Sequence, residues 1–184
     1  MQDKDAERLL QIVSGKVLHG EFTLTSGEKS AYYFDGRLIT LSAEGAYLVG
    51  KKVFELVVAA GAEAIGGPTL GADPIIGSVI AISWLEGKPV SGLIVRGETK
   101  THGTQKLIEG NLPQGGKVAI VDDVITTGGS FFRAIEAVEK GGCQVVKVIA
   151  LLDRQQGGSE ELRKKGYDFT ALLRADASGA VYIN

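Results

Sequence analysis

From the middle of the chain onward, short apolar runs alternate with stretches in which apolar residues recur at helical spacing, the signature of βαβ units around a largely parallel sheet. The fold class that follows is α/β. Ser42 can cap a helix over 42–60 that carries Leu48, Phe54, Val57 and Val58, with Gly61 as its stop. Residues 63–67 then form a strand, 74–85 a second helix and 90–96 another strand. The stretch 99–113 has no periodicity, and structureless loops longer than about 12 residues are usually functional or disordered. A buried strand over 117–121 ends in Asp122 and Asp123, and a helix follows over 130–140 with Phe131, Ala134, Ile135 and Val138 as its apolar stripe. Gly141 and Gly142 end that helix. The longest apolar strand covers 144–152, and 168–174 is expected to be the last one. The first forty residues lie outside the pattern: segments at 22–24 and 32–34, joined by Thr25-Ser26-Gly27-Glu28, predict a small hairpin that covers one end of the sheet.

Composition narrows the partners more than the fold. A chain of 184 residues with 44% hydrophobic content builds one core without staples, and the single Cys143 allows no internal disulfide. One domain over 1–184 is expected, with no repeat or linker. A net charge of −2 and the lack of any Lys/Arg run exclude the electrostatic footprint of a nucleic-acid binder. The N-terminal stretch MQDKDAERLL is acidic and has no apolar core, and no apolar run approaches the ~18 residues of a membrane span. A cytoplasmic protein with small-molecule partners is the expectation.

The chemistry concentrates in Val118-Ala119-Ile120-Val121-Asp122-Asp123-Val124-Ile125-Thr126-Thr127-Gly128-Gly129-Ser130. Open α/β sheets bind ligands at the carboxyl ends of their strands, where this segment puts two carboxylates. The turn from Thr126 through Ser130 adds successive backbone N–H groups and a helix start, a site for a phosphate monoester. Carboxylates repel phosphate, so Asp122 and Asp123 suit sugar hydroxyls or a metal-bound ligand beside it. An isolated Asp-Asp pair more often just solvates a loop; the whole string changes that balance. No Gly-Lys-Ser/Thr follows, so it is not a Walker loop, and it lacks Gly-x-Gly-x-x-Gly. Arg96, Lys100 and His102 open the long unpatterned stretch, where cations can fold onto a polyphosphate. Arg154 ends the longest strand on the same edge as Asp122, and its planar fork suits a carboxylate, either a ligand's or that of a neighbouring acid.

The 118–130 segment resembles the phosphoribosyl pyrophosphate motif of the type I phosphoribosyltransferases. Three further stretches resemble the orotate-using branch of that family: Phe22-Thr23-Leu24-Thr25-Ser26-Gly27 with Lys29-Ser30-Ala31-Tyr32-Tyr33-Phe34-Asp35, Arg96 with Lys100, His102 and Gly103, and Asp153-Arg154-Gln155. Gly66-Gly67-Pro68-Thr69-Leu70-Gly71 is similar to the family's pyrophosphate loop. The resemblance implies a mainly parallel sheet flanked by helices, an N-terminal hood over 1–40 and a mobile catalytic loop over 97–113. It implies a pentosyl-transferring glycosyltransferase of pyrimidine nucleotide synthesis. Phosphoribosyl pyrophosphate would be held by Arg96, Lys100, His102, Asp122, Asp123, Val124, Ile125, Thr126, Thr127, Gly128, Gly129 and Ser130. Lys100, Asp123 and His102 would be catalytic, and Thr126, Arg154, Tyr33 and Phe34 would hold orotate. Mg²⁺ bound mainly through the substrate, and a homodimer with shared active sites, are implied as well. Where the family often has lysines this chain has Thr25 and Gly97, which removes positive charge from the pyrophosphate site. A phosphoribosyltransferase for another base and a non-enzymatic sensor of phosphoribosyl pyrophosphate share the motif; a sensor would not need the Lys100 loop.

Overall fold

The computed structural model describes residues 3–23, 29–97 and 107–183. In chain order the elements are α1 (Lys4–Ser14), β1 (Leu18–Thr23), β2 (Lys29–Tyr33), α2 (Arg37–Thr40), α3 (Ala43–Ala59), β3 (Ala64–Pro68), α4 (Asp73–Leu85), β4 (Ser91–Val95), β5 (Ile108–Gly110), β6 (Lys117–Ile125), α5 (Gly129–Lys140), β7 (Gln144–Asp153), α6 (Gly158–Lys164), β8 (Phe169–Ala175) and β9 (Val181–Ile183). Seven strands form one sheet in the order β5-β4-β3-β6-β7-β8-β9, parallel except for the antiparallel edge strands β5 and β9.

Each central strand is buried on both faces, so its residues alternate between two apolar layers. Ile65, Ala119, Val121, Ile149 and Leu151 face the layer built with α1, α3 and α4, and Ala64, Val118, Ile120, Val148 and Ala150 face the layer under α5 and α6. This is why the strands read as largely apolar runs. The helix α4 that follows β3 contributes Ile75, Ile76 and Val79 to the first layer, whereas α5, which follows β6, contributes Phe131, Ile135 and Val138 to the second. Strands β3 and β6 are neighbours, so the chain leaves this one point of the sheet in opposite directions. Such a switch point opens a crevice at the strands' carboxyl ends.

The α/β expectation holds, and several elements differ from the pattern-based expectation. Helix α1 lies within the first forty residues, where only a hairpin was expected. Its Leu9 and Val13, four apart, are buried, Asp3 caps it, and Arg8–Glu44 (2.6 Å), Lys51–Asp5 (2.6 Å) and Lys52–Asp3 (2.7 Å) tie it to α3. The hairpin exists as β1 and β2, paired antiparallel with Phe22 opposite Ser30. Strand β6 does not stop before the two aspartates: it runs through them to Ile125, because Asp122 pairs with Ala150 and Ile125 with Asp153 of β7. The unpatterned 99–113 stretch contains β5, which needs no pattern of its own because it extends an existing edge beside β4. The last strand is β9, not β8, and the short α6 after β7 lies in a region where no helix was expected.

Candidate functional site

A cavity of about 360 Å³ occupies the crevice between the carboxyl ends of β3 and β6. Its wall includes Asp122, Asp123, Val124 and Ser130 from β6 and α5, Thr69, Leu70 and Gly71 from the loop after β3, and Arg96 and Gly97 after β4. The segment after β2 closes the remaining side with Tyr33, Phe34, Asp35, Gly36 and Arg37.

Asp122 is 6% exposed, and its carboxylate accepts bonds from Ser130 Oγ (2.9 Å) and the Asp123 N–H (3.0 Å). Asp123 is sandwiched between two glycines. A Cβ on Gly36 would lie 2.6 Å from its Oδ2, and one on Gly71 would lie 2.5 Å from its Oδ1, so neither position tolerates a side chain. Beside it Asp35 holds Arg37 through two bonds of 2.8 and 2.9 Å. Burial, together with the charge of Asp123, pushes the Asp122 carboxyl up to about 8. Burial raises Asp123 too.

Past the pair, Gly128 takes a left-handed φ of 84° and α5 begins with no side-chain cap, which leaves its first N–H groups open to an anion. Gly158, at the start of α6, packs so close that a Cβ there would lie 2.5 Å from the Thr126 carbonyl oxygen and 2.6 Å from the Gly128 nitrogen. The turn is thereby fixed from behind, and Thr127 and Gly129 are left exposed. Ile125 is 1% exposed, its carbonyl accepts the Arg154 N–H, and its side chain is core.

The structure thus gathers Asp122, Asp123, Val124, Ser130, Arg96, Tyr33 and Phe34 on one cavity wall. Phe34 is at the same time buried in the core layer. Arg96 donates to Glu109 of β5 at 3.3 Å. Ile125, Thr126, Thr127, Gly128, Gly129 and Arg154 do not line this cavity; Arg154 faces the hairpin instead, with Tyr32 and Ser30 as partners and no acid bonded to it among the described residues. Lys100, His102 and Thr25 lie outside the described residues. Two cations on the wall, Arg37 and Arg133, were not singled out from the sequence. Arg133 was findable, since it lies one turn beyond Ser130 on the same helix face; Arg37 reaches the site only because the hairpin folds over it. Among the described residues no group of three or more His, Cys, Asp or Glu gathers to hold a metal, and no helix is long and apolar enough to cross a membrane.

Comparison with known proteins follows the same lines. Residues 85–172 match the family model of the phosphoribosyl transferase domain. The chain is 46% identical to orotate phosphoribosyltransferase of Synechocystis sp. over 164 residues, covering 89% of this chain and 82% of that one. It superposes on the Mycobacterium tuberculosis orotate phosphoribosyltransferase with a TM-score of 0.81 at 36% identity, covering 92% and 96% of the two chains. It superposes on that protein's complex with phosphoribosyl pyrophosphate with a TM-score of 0.77 at 29% identity, covering 95% and 91%. The mainly parallel sheet flanked by helices is the fold of a type I phosphoribosyltransferase. Within that class, the chain belongs to the orotate phosphoribosyltransferase family.

The raised Asp122 carboxyl has a measurable consequence. Between its ordinary value of 3.8 and about 8 the folded protein keeps a proton that the unfolded chain has released, so stability falls as pH rises through that window and levels off above it. Asp122→Asn should flatten this fall, on the order of a few kcal/mol, in denaturation midpoints measured across the range. A slope identical to that of the parent protein would place the buried proton elsewhere.

Proposed function

We propose that this chain transfers the 5-phosphoribosyl group of phosphoribosyl pyrophosphate to a ring nitrogen of orotate, giving orotidine 5′-phosphate and pyrophosphate. The observation that carries this reading is the pairing of Asp122 and Asp123 with the uncapped start of α5 at the β3–β6 crevice, in a chain of this family. Bond breaking at the anomeric carbon leaves a cationic sugar and builds negative charge on the departing pyrophosphate. Asp122 and Asp123 hold the ribose hydroxyls, and Asp123 offsets the developing positive charge. Residues 126–130 anchor the 5′-phosphate through main-chain N–H groups, so that its binding energy orients the reacting centre. Arg96, Lys100 and His102 stabilise the pyrophosphate. Arg37 and Arg133 supply guanidinium charge that supports the same role where Thr25 and Gly97 replace the family's lysines.

Mg²⁺ fits this donor set as an ion carried mainly by substrate oxygens, with the Asp122–Asp123 pair as the carboxylates this chain offers, and it would neutralise pyrophosphate charge. Closure of the loop between β4 and β5 excludes water from the activated sugar. Tyr33 and Phe34 flank the base, Thr126 contacts it, and Arg154 takes its carboxylate. The enzyme works as a homodimer whose loop serves the neighbouring site. Exposed Leu38, Leu41, Tyr47, Trp84 and Leu85 on the mutually packed α2, α3 and α4 support an apolar face for that pairing. Substrates this highly charged do not cross bilayers unaided, which supports a cytoplasmic location.

Pyrophosphate release with a panel of free bases tests the reaction. Orotate should support turnover, while uracil, hypoxanthine and adenine should be slower by roughly a hundredfold or more, because each would leave the buried Arg154 charge unpaired. Turnover with uracil equal to that with orotate would sink the carboxylate assignment.

Gly129→Val tests the phosphate turn. A Cβ there meets nothing nearer than Arg133 Nη1 at 3.7 Å, so the variant should fold normally. It should nonetheless raise the KM for phosphoribosyl pyrophosphate by roughly a hundredfold, since the added branches occupy the phosphate's place at the helix start. An unchanged KM would remove the turn from the site.

Mixed dimers test the shared site. Lys100→Ala and Asp123→Asn chains should each be nearly inactive alone. When they are paired at random, roughly half the dimers are mixed and each holds one site with both wild-type residues, so about a quarter of all sites should recover. Background activity in verified mixed dimers would show that each loop serves its own subunit.

A further inference from the structure

Beside the hairpin, outside the cavity, lies a buried charge whose surroundings come from two distant parts of the chain. Arg154, at the end of β7, is 7% exposed. Its Nε donates to Tyr32 Oη at 2.9 Å, and a terminal nitrogen donates to Ser30 Oγ at 2.9 Å. The guanidinium carbon lies 4.3 Å from the centroid of the Tyr32 ring, close enough for a cation–π contact. Ser30 has no freedom in this arrangement, because its own proton goes to the Tyr32 carbonyl at 2.7 Å and leaves a lone pair for Arg154. An arginine can only donate, so the Tyr32 oxygen must accept.

Tyr32 is held in turn by the far end of the chain. The turn between β8 and β9 closes on its ring at Gly179, whose φ is 87°. A Cβ on Gly179 would lie 2.7 Å from Tyr32 Cγ and 2.9 Å from its Cβ, so the turn sits in contact with the ring because residue 179 has no side chain. Asp176 Oδ1 locks that turn by accepting bonds from the Ser178 N–H (2.8 Å), the Ser178 hydroxyl (2.6 Å) and the Ala180 N–H (3.1 Å). Gln155, next to Arg154, donates to the Ala175 carbonyl at 3.1 Å and to Tyr182 Oη at 2.7 Å, which ties the arginine's own backbone to the same pair of strands.

We infer that Tyr32, braced by the β8–β9 turn at Gly179, is a positioning residue that aims Arg154 at the carboxylate of the base. The inference rests on the proposed pairing of Arg154 with that carboxylate. Tyr32 belongs to the hairpin and Gly179 to the C-terminal turn, and neither residue lines the cavity that holds the acidic pair. Perturbing either should weaken orotate and spare phosphoribosyl pyrophosphate.

Steady-state kinetics of Arg154→Ala, Tyr32→Phe, their double variant and Gly179→Ala form the test. Arg154→Ala should raise the orotate KM. Tyr32→Phe keeps the ring and its packing and loses only the acceptor, so it should raise the orotate KM by roughly ten- to a hundredfold, the range for a lost bond to a charged group. The KM for phosphoribosyl pyrophosphate should stay within about twofold and kcat should move less than the orotate KM. Gly179→Ala should shift the same constant in the same direction. In the Arg154→Ala background, Tyr32→Phe should add no further rise, as expected if it acts through the arginine. An unchanged orotate KM in Tyr32→Phe, beside a raised one in Arg154→Ala, overturns the positioning role and leaves the base reading intact. Full additivity of the two substitutions also overturns it. An orotate KM unmoved by Arg154→Ala overturns the base reading itself, and the positioning role with it.

Discussion

Asp122 and Asp123 lie in the last part of β6, directly after the fully buried Val118, Ala119, Ile120 and Val121, so their charge must be met by whatever the fold brings to that point. Ser130 and a main-chain N–H meet part of it, and the rest shows as the upward shift of both carboxyls. A pair in this condition is unfavourable for the free protein, and hydrogen-bond donors or positive charge brought beside it would relieve that cost. The surrounding glycines follow from the same constraint: Gly36 packs against Asp123 Oδ2 and Gly71 against Asp123 Oδ1, so the hairpin segment and the loop after β3 can both close on the carboxylate.

The crevice that receives the pair is made by topology. Helix α4 packs on one face of the sheet and α5 on the other, and the two depart from adjacent strands. No side chain has to hold the crevice open, because two βα connections that turn opposite ways cannot cover the point between them. Stability is supplied by the two apolar layers beneath, and the loops at the top are left for ligand contacts.

The N-terminal hairpin is attached differently from the core strands. It forms its own two-stranded sheet and is joined to the rest through buried Tyr32 and Phe34, by Arg154 reaching across to Ser30 and Tyr32, and by the C-terminal turn seated on Tyr32. The buried guanidinium is solvated by hydroxyls and a ring face. Neutral partners stabilise the charge without cancelling it.

Most of the α/β core was legible in the chain itself, because a strand buried on both faces must be apolar throughout and a helix covering it must show an apolar stripe; β3, β4, β6, β7 and the helices α3, α4 and α5 satisfy both conditions. The acidic pair and the Gly-rich turn were legible for a local reason, since both lie within nine consecutive residues, 122–130. What depended on distant contacts was not. Strand β5 and strand β9 are short edges defined by their neighbours, and β6 continues past Val121 because β7 offers partners for Asp122 through Ile125. Arg37 reaches the cavity only when the hairpin folds over the sheet. The partners of Arg154 lie 122 and 124 residues away in sequence, and the glycine that braces them sits beyond β8. Spacing along a chain reports what a local element must bury; which hydroxyl meets which guanidinium is decided only when the sheet has brought the two ends of the chain together.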